Sequence, residues 1–334
     1  RDAKEEDEKQ AVAAEAICEP STHGTQETAG KNDNGGQIAC GDLAQGGRGG
    51  EKKRHETVHP DESAEGDAVE KAQLPGMGGA EQLAQLEMRN AGKPITAARR
   101  VDIPVAAAAL RYFAGWAGKI GGETMELSLA GEWHSYTLRE PVGVVGQIIP
   151  WNYPLMGAAM KIAPALAAGC AVILKPSELT PLSALHLAEL TERCGFPPGM
   201  VNVLPGLGEV TGAAMVAHPG IAKIAFTGST ATGQTILRAA AQSMKRVTME
   251  LGGKSPVIVM PDADLDAAAR ALAASSFLNG GQTCSAGTRL LVHSSVAQAL
   301  IARIAEAASA MTMGAPADPA TVLGPLISQD QRAK

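Results

Sequence analysis

Between residues 141 and 260 the chain alternates short apolar runs with helix-patterned segments, and this alternation restricts the fold more than any other feature. Strand-like runs fall at 141–149, 171–174, 201–204, 221–226, 246–251 and 256–260. Helix-patterned segments fill the gaps at 156–168, 182–194, 209–217 and 231–241. Short runs rich in valine and isoleucine, separated by crossover helices, predict a parallel sheet covered on both faces. In such sheets ligands bind outside the carboxyl ends of the strands, so the turns there are where chemistry is to be sought.

The rest of the chain divides by composition. Residues 1–79 are rich in Gly, Glu, Lys, Asp and Gln and hold no Phe, Trp or Tyr. Such a stretch buries too little apolar surface to offset chain entropy, so it is expected to be disordered or to belong to another unit. From about residue 80 the texture changes. Helices are predicted at 82–89 and 105–120, the second showing Leu110, Phe113 and Ala117 on one face and ending at Gly121-Gly122. Residues 125–139, with Trp133, Tyr136 and Thr137, alternate loosely and suggest a hairpin arm turning near Ala130-Gly131.

Four strand ends and one loop carry candidate chemistry. The run 171–174 ends in Lys175-Pro-Ser-Glu178. Lysine and glutamate at one strand end suit a ribose, and a carboxylate there repels a 2′-phosphate; helix capping by Ser177 or Glu178 explains the same residues equally well. The run 221–226 leads into Thr227-Gly-Ser-Thr-Ala-Thr-Gly233. There Gly228 permits a tight turn, and a helix N-terminus behind Ser229 suits a pyrophosphate, although capping alone accounts for Ser229. Gly206-Leu-Gly-Glu-Val-Thr-Gly212 resembles a phosphate fingerprint, but its third glycine is one residue late, so it reads as a turn. The run 246–251 ends in Glu250-Leu-Gly-Gly-Lys254, a carboxylate with space beside it and a candidate general base. Asn152, in the proline-flanked turn Pro150-Trp-Asn-Tyr-Pro154, offers an amide N–H to an oxyanion, or simply forms an Asx turn.

The loop is Asn279-Gly-Gly-Gln-Thr-Cys284 followed by Ser285-Ala-Gly287. A cysteine among small and polar residues reads as a nucleophilic thiol at a loop-to-helix junction, where N–H groups and the helix dipole favour the thiolate. Ser285, Ala286 and Gly287 are expected to leave room beside the sulfur.

Bulk numbers exclude other classes. A net charge of −6 argues against nucleic acid or an anionic membrane as partner. No apolar run is long enough for a membrane span, and the charged first residues do not read as a signal peptide. The five cysteines (Cys18, Cys40, Cys170, Cys194, Cys284) show no metal-ligand spacing and read as free thiols in a reducing, cytoplasmic compartment.

Taken in order, Pro150-Trp-Asn-Tyr-Pro154, Lys175-Pro-Ser-Glu178, Phe226-Thr-Gly-Ser-Thr230, Met249-Glu-Leu-Gly-Gly-Lys254 and Asn279-Gly-Gly-Gln-Thr-Cys284 resemble the NAD(P)-dependent aldehyde dehydrogenase superfamily over about residues 80–334. The resemblance implies an α/β, aldehyde-dehydrogenase-like fold. Its parts are a Rossmann-like NAD-binding domain over 80–251 with an oligomerisation hairpin near 125–139, and a partial catalytic domain over 252–334. It implies that Cys284 is the nucleophile, Asn152 the oxyanion holder, Glu250 the deacylating base and Lys161 part of a proton relay. It further implies cofactor contacts from Ile149, Pro150, Trp151, Lys175, Pro176, Ser177, Glu178, Gly228, Ser229, Thr230, Gly233, Leu251 and Gly252, with NAD preferred to NADP, and no metal. The implied reaction is oxidation of an aldehyde to a carboxylic acid, in a homo-oligomer. Met156, Gly157 and Met160 are expected near the aldehyde. The family's later Glu-x-Phe-Gly-Pro stretch is not in this sequence, so a catalytically incompetent fragment is one alternative. A CoA-acylating semialdehyde dehydrogenase is the other, which Glu250 disfavours.

Overall fold

A computed structural model describes residues 79–333. The stretch 1–79, expected to be disordered or a separate unit, lies, but for Gly79, outside them. Helix α1 (Ala80–Ala91) ends at Gly92, whose φ of 70° makes a left-handed cap. A helical run then starts at Ile95–Ala97, passes through a π-type stretch at Ala98–Asp102 and continues as α2 (Ile103–Ala114). The sequence pattern placed this helix at 105–120. It begins earlier, and it ends at Gly115 because a turn with Gly118 at φ 75° closes it before the predicted Gly121-Gly122 stop. The anticipated arm is thin: β1 (Thr124–Met125) pairs antiparallel with β2 (Ser135–Tyr136), and Leu129, Trp133, Tyr136 and Leu138 along it are exposed.

The central sheet comprises β3 (Val144–Ile148), β4 (Ala171–Lys175), β5 (Val201–Val203), β6 (Lys223–Gly228) and β7 (Arg246–Leu251). Its order is β5-β4-β3-β6-β7, with every pair parallel. Helices α3 (Pro154–Ala167) and α4 (Leu182–Arg193) join α1 and α2 on one face, burying Ile149, Val172 and Leu174 against Leu155, Ala158, Ile162, Ala184 and Leu187. The short α5 (Ala213–Ala217), which follows a π-type stretch at Gly208–Gly212, and α6 (Thr230–Ala241) cover the other face. There Ile148, Ile224 and Phe226 meet Met215, Val216, Ile236 and Ala240. The doubly covered parallel sheet is therefore as expected.

A two-stranded parallel sheet follows, formed by β8 (Pro256–Val259) and β9 (Arg289–Val292), with α7 (Leu265–Phe277) and α8 (Ala297–Ser309) on one side. Val257, Val259, Leu290 and Val292 pack with Leu272 and Leu300. The alternate residues Ile258 and Leu291, cross-strand partners, are 68% and 49% exposed. The chain then returns to the segment after α1 before a last short helix, α9 (Gln329–Arg332): the Ile95 N–H donates to the Pro316 carbonyl at 2.8 Å.

Candidate active site

The strand order reverses at β3. The crossovers β3–β4–β5 run one way from it and β6–β7 the other, so the carboxyl ends of β3 and β6 flank the switch point of a doubly wound sheet, where ligands bind in such folds. At the end of β3 the Ile149 N–H donates to the Lys175 carbonyl at 3.1 Å. The half-buried residues Trp151, Asn152 and Tyr153 then turn the chain into α3, with Pro154 at the first helical position.

This turn is tied to the cysteine loop. Asn152 Nδ2 donates to the Gln282 carbonyl at 2.9 Å, and Asn279 Nδ2 donates to the Asn152 carbonyl at 3.3 Å. The Tyr153 hydroxyl and Thr283 Oγ1 lie 2.9 Å apart. Gln282, buried, holds the loop from within: its Nε2 donates to the Asn279 carbonyl at 2.8 Å and its Oε1 accepts the Ile327 N–H at 3.0 Å. An amide carries two N–H donors, so Asn152 keeps one beyond the Gln282 bond. The sequence motifs single out Asn152 and Cys284 and give no role to Tyr153, Asn279 and Gln282, which stand inside the same motifs; polar groups around a nucleophile are the available signal.

Cys284 is exposed, in a turn between the 3-10 stretch Leu278–Gly281 and β9. The expected loop-to-helix junction is therefore corrected. Asn279, Gly280 and Gly281 take φ values of 53°, 67° and 77°, and this left-handed run turns the chain out of α7 into the turn before a strand. The segment after Cys284 runs into β9 and does not itself begin a helix. The small residues after it also have another reason than space for a substrate. Ala286 and Gly287 are buried, and a Cβ on Gly287 would lie 2.7 Å from Val257 Cγ2.

Lys161 is half-buried on α3. Burial pulls its ammonium down to about 8, against the attraction of Glu250 and with the repulsion of Lys223. Glu250, near the end of β7, is exposed.

At the end of β4, Lys175 is buried and its Nζ meets Glu178 Oε2 at 3.1 Å. Burial pushes the Glu178 carboxyl up, but a backbone N–H and the Lys175 hydrogen bond and charge outweigh it, so the group lies below its ordinary range. Neither Ser177 nor Glu178 caps α4. The helix starts after Pro181, the Leu182 N–H donates to Asn90 Oδ1 at 3.1 Å, and Ser177 Oγ accepts the Leu179 N–H within its own turn. The capping alternative for this motif thus falls away, while Pro176 and Ser177 remain buried beside Lys175.

At the end of β6, Ser229 caps α6, its Oγ accepting the Thr232 N–H at 3.1 Å. The first N–H groups of a helix have no partner within it, here those of Thr230 and Ala231, since Thr232 and Gly233 donate to Ser229. A Cβ on Gly228 would lie 2.5 Å from the Phe226 ring, and one on Gly233 2.9 Å from Leu251 Cδ2. The Gly252 N–H donates to the Gly228 carbonyl at 3.3 Å. A polar helix start, closely packed glycines and a lysine–carboxylate pair two strands away form a donor set that fits a dinucleotide.

Comparison with known proteins agrees with this geometry. A sequence model of the aldehyde dehydrogenase family matches residues 72–334. The chain belongs to the aldehyde dehydrogenase family. It is 50% identical to retinal dehydrogenase 2 of Gallus gallus over 253 residues, covering 75% of this chain and 48% of that protein. It is 48% identical to an aldehyde dehydrogenase of Enchytraeus buchholzi over 254 residues, covering 76% of this chain and 51% of the other. The structure of PnpE in complex with nicotinamide adenine dinucleotide superposes with a TM-score of 0.75 at 45% identity, over 81% of this chain and 54% of that one. The chain thus spans about half the length of the aldehyde dehydrogenases it matches. Among the described residues no acidic, histidine or cysteine cluster could hold a metal ion, and no helix is long and apolar enough to cross a membrane.

Proposed function

We propose that this aldehyde dehydrogenase family chain carries the nucleophile, the oxyanion donor and the base of an NAD-dependent oxidation of an aldehyde to a carboxylic acid. The observation that carries the reading is the joining of the Asn152 turn, at the sheet's switch point, to the loop that bears Cys284, through the Asn152–Gln282 hydrogen bond. The thiolate of Cys284 adds to the aldehyde carbonyl, and the remaining Asn152 N–H with the Cys284 backbone N–H stabilises the alkoxide. A bound NAD would supply the hydride acceptor, and loss of hydride from the thiohemiacetal on Cys284 would leave a thioester there. Glu250 then takes a proton from water, which attacks the thioester and releases the acid. Lys161, electrostatically coupled to Glu250, accompanies that proton movement.

Ile149, Pro150 and Trp151 form the floor of the cofactor site in this reading. Lys175, with Pro176 and Ser177 behind it, and Glu178 hold the adenosine ribose. Gly228, Ser229, Thr230 and Gly233 face the pyrophosphate, and Leu251 and Gly252 close the edge. The ionised Glu178 favours NAD, because a 2′-phosphate would meet a second negative charge. The division into a cofactor part at 80–251 and a partial catalytic part at 252–334 is supported by the ending of the five-stranded sheet at Leu251 and the separate β8–β9 pair. Met156 and Gly157, half-buried on α3, and the exposed Met160 would lie along the aldehyde's approach. The exposed apolar residues of the hairpin arm support its use in a homo-oligomer.

The test is NADH formation, followed by absorbance, by the purified chain with NAD and a panel of aliphatic, aromatic and amino aldehydes. Turnover that disappears in Cys284→Ala supports the reading. Turnover that survives the substitution, or that needs CoA, overturns it. NAD binding without turnover would mean that the cofactor half of the reading holds and that the chain as given is not catalytically competent.

A further inference from the structure

The strongest unexplained feature lies beneath the site. Lys93 and Asp102 are 2% and 1% exposed and form an ion pair. Neither belongs to a motif that marks the active site. Removing two charges from water costs several kcal/mol before their attraction is counted, so a buried pair is poor evidence for stability and calls for another reason. Here the cation has a second partner: Lys93 Nζ stands 3.6 Å from the centroid of the Tyr153 ring. A cation over an aromatic face is attracted most strongly where water is excluded. The same ring carries its hydroxyl to Thr283, the residue before Cys284. Close by, Glu87 Oε1, also fully buried, accepts the Leu155 N–H in the first turn of α3, so the helix that follows Tyr153 is fixed from the same side.

We propose that the buried Lys93–Asp102 pair is a positioning device for the catalytic turn. It seats the Tyr153 ring, and through the Tyr153–Thr283 hydrogen bond it sets the conformation of the turn that carries Cys284. The assignment rests on Cys284 being the nucleophile, but its test does not use turnover. Asp102 holds the ammonium in place and neutralises it. Lys93 presents the charge to the ring, and Tyr153 transmits the constraint across 130 residues of sequence to Thr283. The loop on the far side already takes left-handed geometry at Asn279, Gly280 and Gly281, which only Asn279 adopts against its preference. A second anchor downstream of those residues limits the conformations that the thiol samples.

The experiment is hydrogen exchange, read by mass spectrometry on peptides covering 278–288, in the unliganded chain. Amides with partners inside this segment include those of Gln282, Ala286 and Thr288. Replacing Lys93 by Met is expected to speed their exchange on the order of tenfold, the size of one lost cation–π contact with the order it imposes. Lys93→Arg, which keeps a cation on the ring, should restore most of the protection. Tyr153→Phe should match Lys93→Met, and the double variant should add little to either, because both cut the same chain of contacts. Lys93→Met leaves Asp102 buried and unpaired, so Lys93→Met/Asp102→Asn provides a neutral variant that is expected to fold and to show the same effect. Exchange in β4 and the unreactive state of the buried Cys170 report the rest of the molecule. Unchanged exchange at 278–288 in the neutral variant would overturn the proposal. So would acceleration that is equal in β4, failure of Lys93→Arg to rescue, or additive effects of Lys93→Met and Tyr153→Phe. A chain that forms no NADH but shows the predicted pattern would leave the contact chain from Lys93 to the Cys284 turn standing and remove only the catalytic meaning given to that turn.

Discussion

Lys161 illustrates how one side chain couples stability to the chemistry proposed for the strand ends. Its ammonium is brought from 10.5 to about 8 chiefly by burial, which the attraction of Glu250 only partly offsets. The unfolded chain therefore binds more protons than the folded one between these two values, and folding stability rises with pH across that window. Below about 8 the penalty is fully present. Replacing Lys161 by Met should accordingly stabilise the protein at pH 7 by on the order of 1–3 kcal/mol, with the gain shrinking as pH approaches 10.5. Urea unfolding of both proteins at pH 7 and pH 10 measures it, and a gain that does not shrink would mean that packing, not charge, is responsible. Glu178 gives a second residue-scale expectation. Its carboxylate is held ionised beside Lys175, so Glu178→Ala should narrow the preference for NAD over NADP by about tenfold in paired cofactor titrations. An unchanged ratio would place the 2′-hydroxyl elsewhere.

At the scale of elements, α6 presents the cofactor side with a capped start. Ser229→Ala removes the bond from the Thr232 N–H and should cost about 1 kcal/mol of stability, read by thermal or urea unfolding. If the pyrophosphate binds there, NAD affinity should fall as well; a stability loss with full affinity would leave Ser229 as a cap only. The strand–helix alternation was legible in the sequence because buried parallel strands read as bare runs of valine and isoleucine, and the helices between them keep their own period. The site was legible only at its reacting groups. Cys284, Glu250 and Asn152 stand out by residue type, but the turn around Cys284 was misread as the mouth of a helix. Three consecutive left-handed residues look, in sequence, like any Asn-Gly-Gly flexible loop. The groups that fix the site were less legible still. Gln282 and Thr283 act through backbone carbonyls and a hydroxyl from a distant segment, and Lys93 and Asp102 are separated from Tyr153 by a helix and the hairpin. Contacts between segments so far apart leave no local period in the chain.

The molecule as a whole is unevenly covered. The five-stranded sheet is closed by helices on both faces, whereas among the described residues the β8–β9 pair has helices on one side only. Strand geometry sends alternate residues to opposite faces, so the residues between Val257 and Val259 and between Leu290 and Val292 necessarily point away from α7 and α8. These are Ile258 and Leu291, opposite one another in the ladder and largely exposed. Two aliphatic side chains side by side on an uncovered sheet face make an apolar strip of the kind that binds hydrophobic dyes. Replacing both by lysine should lower the fluorescence of bound anilinonaphthalene sulfonate clearly, while unfolding stability changes by about 0.5 kcal/mol or less per site, as expected for surface positions outside the packed core. Dye binding that is unaffected would mean that this face is covered in solution. A large loss of stability would mean that Ile258 and Leu291 belong to a packed interior. Either result would separate a face that is open in this chain from one that its fold closes.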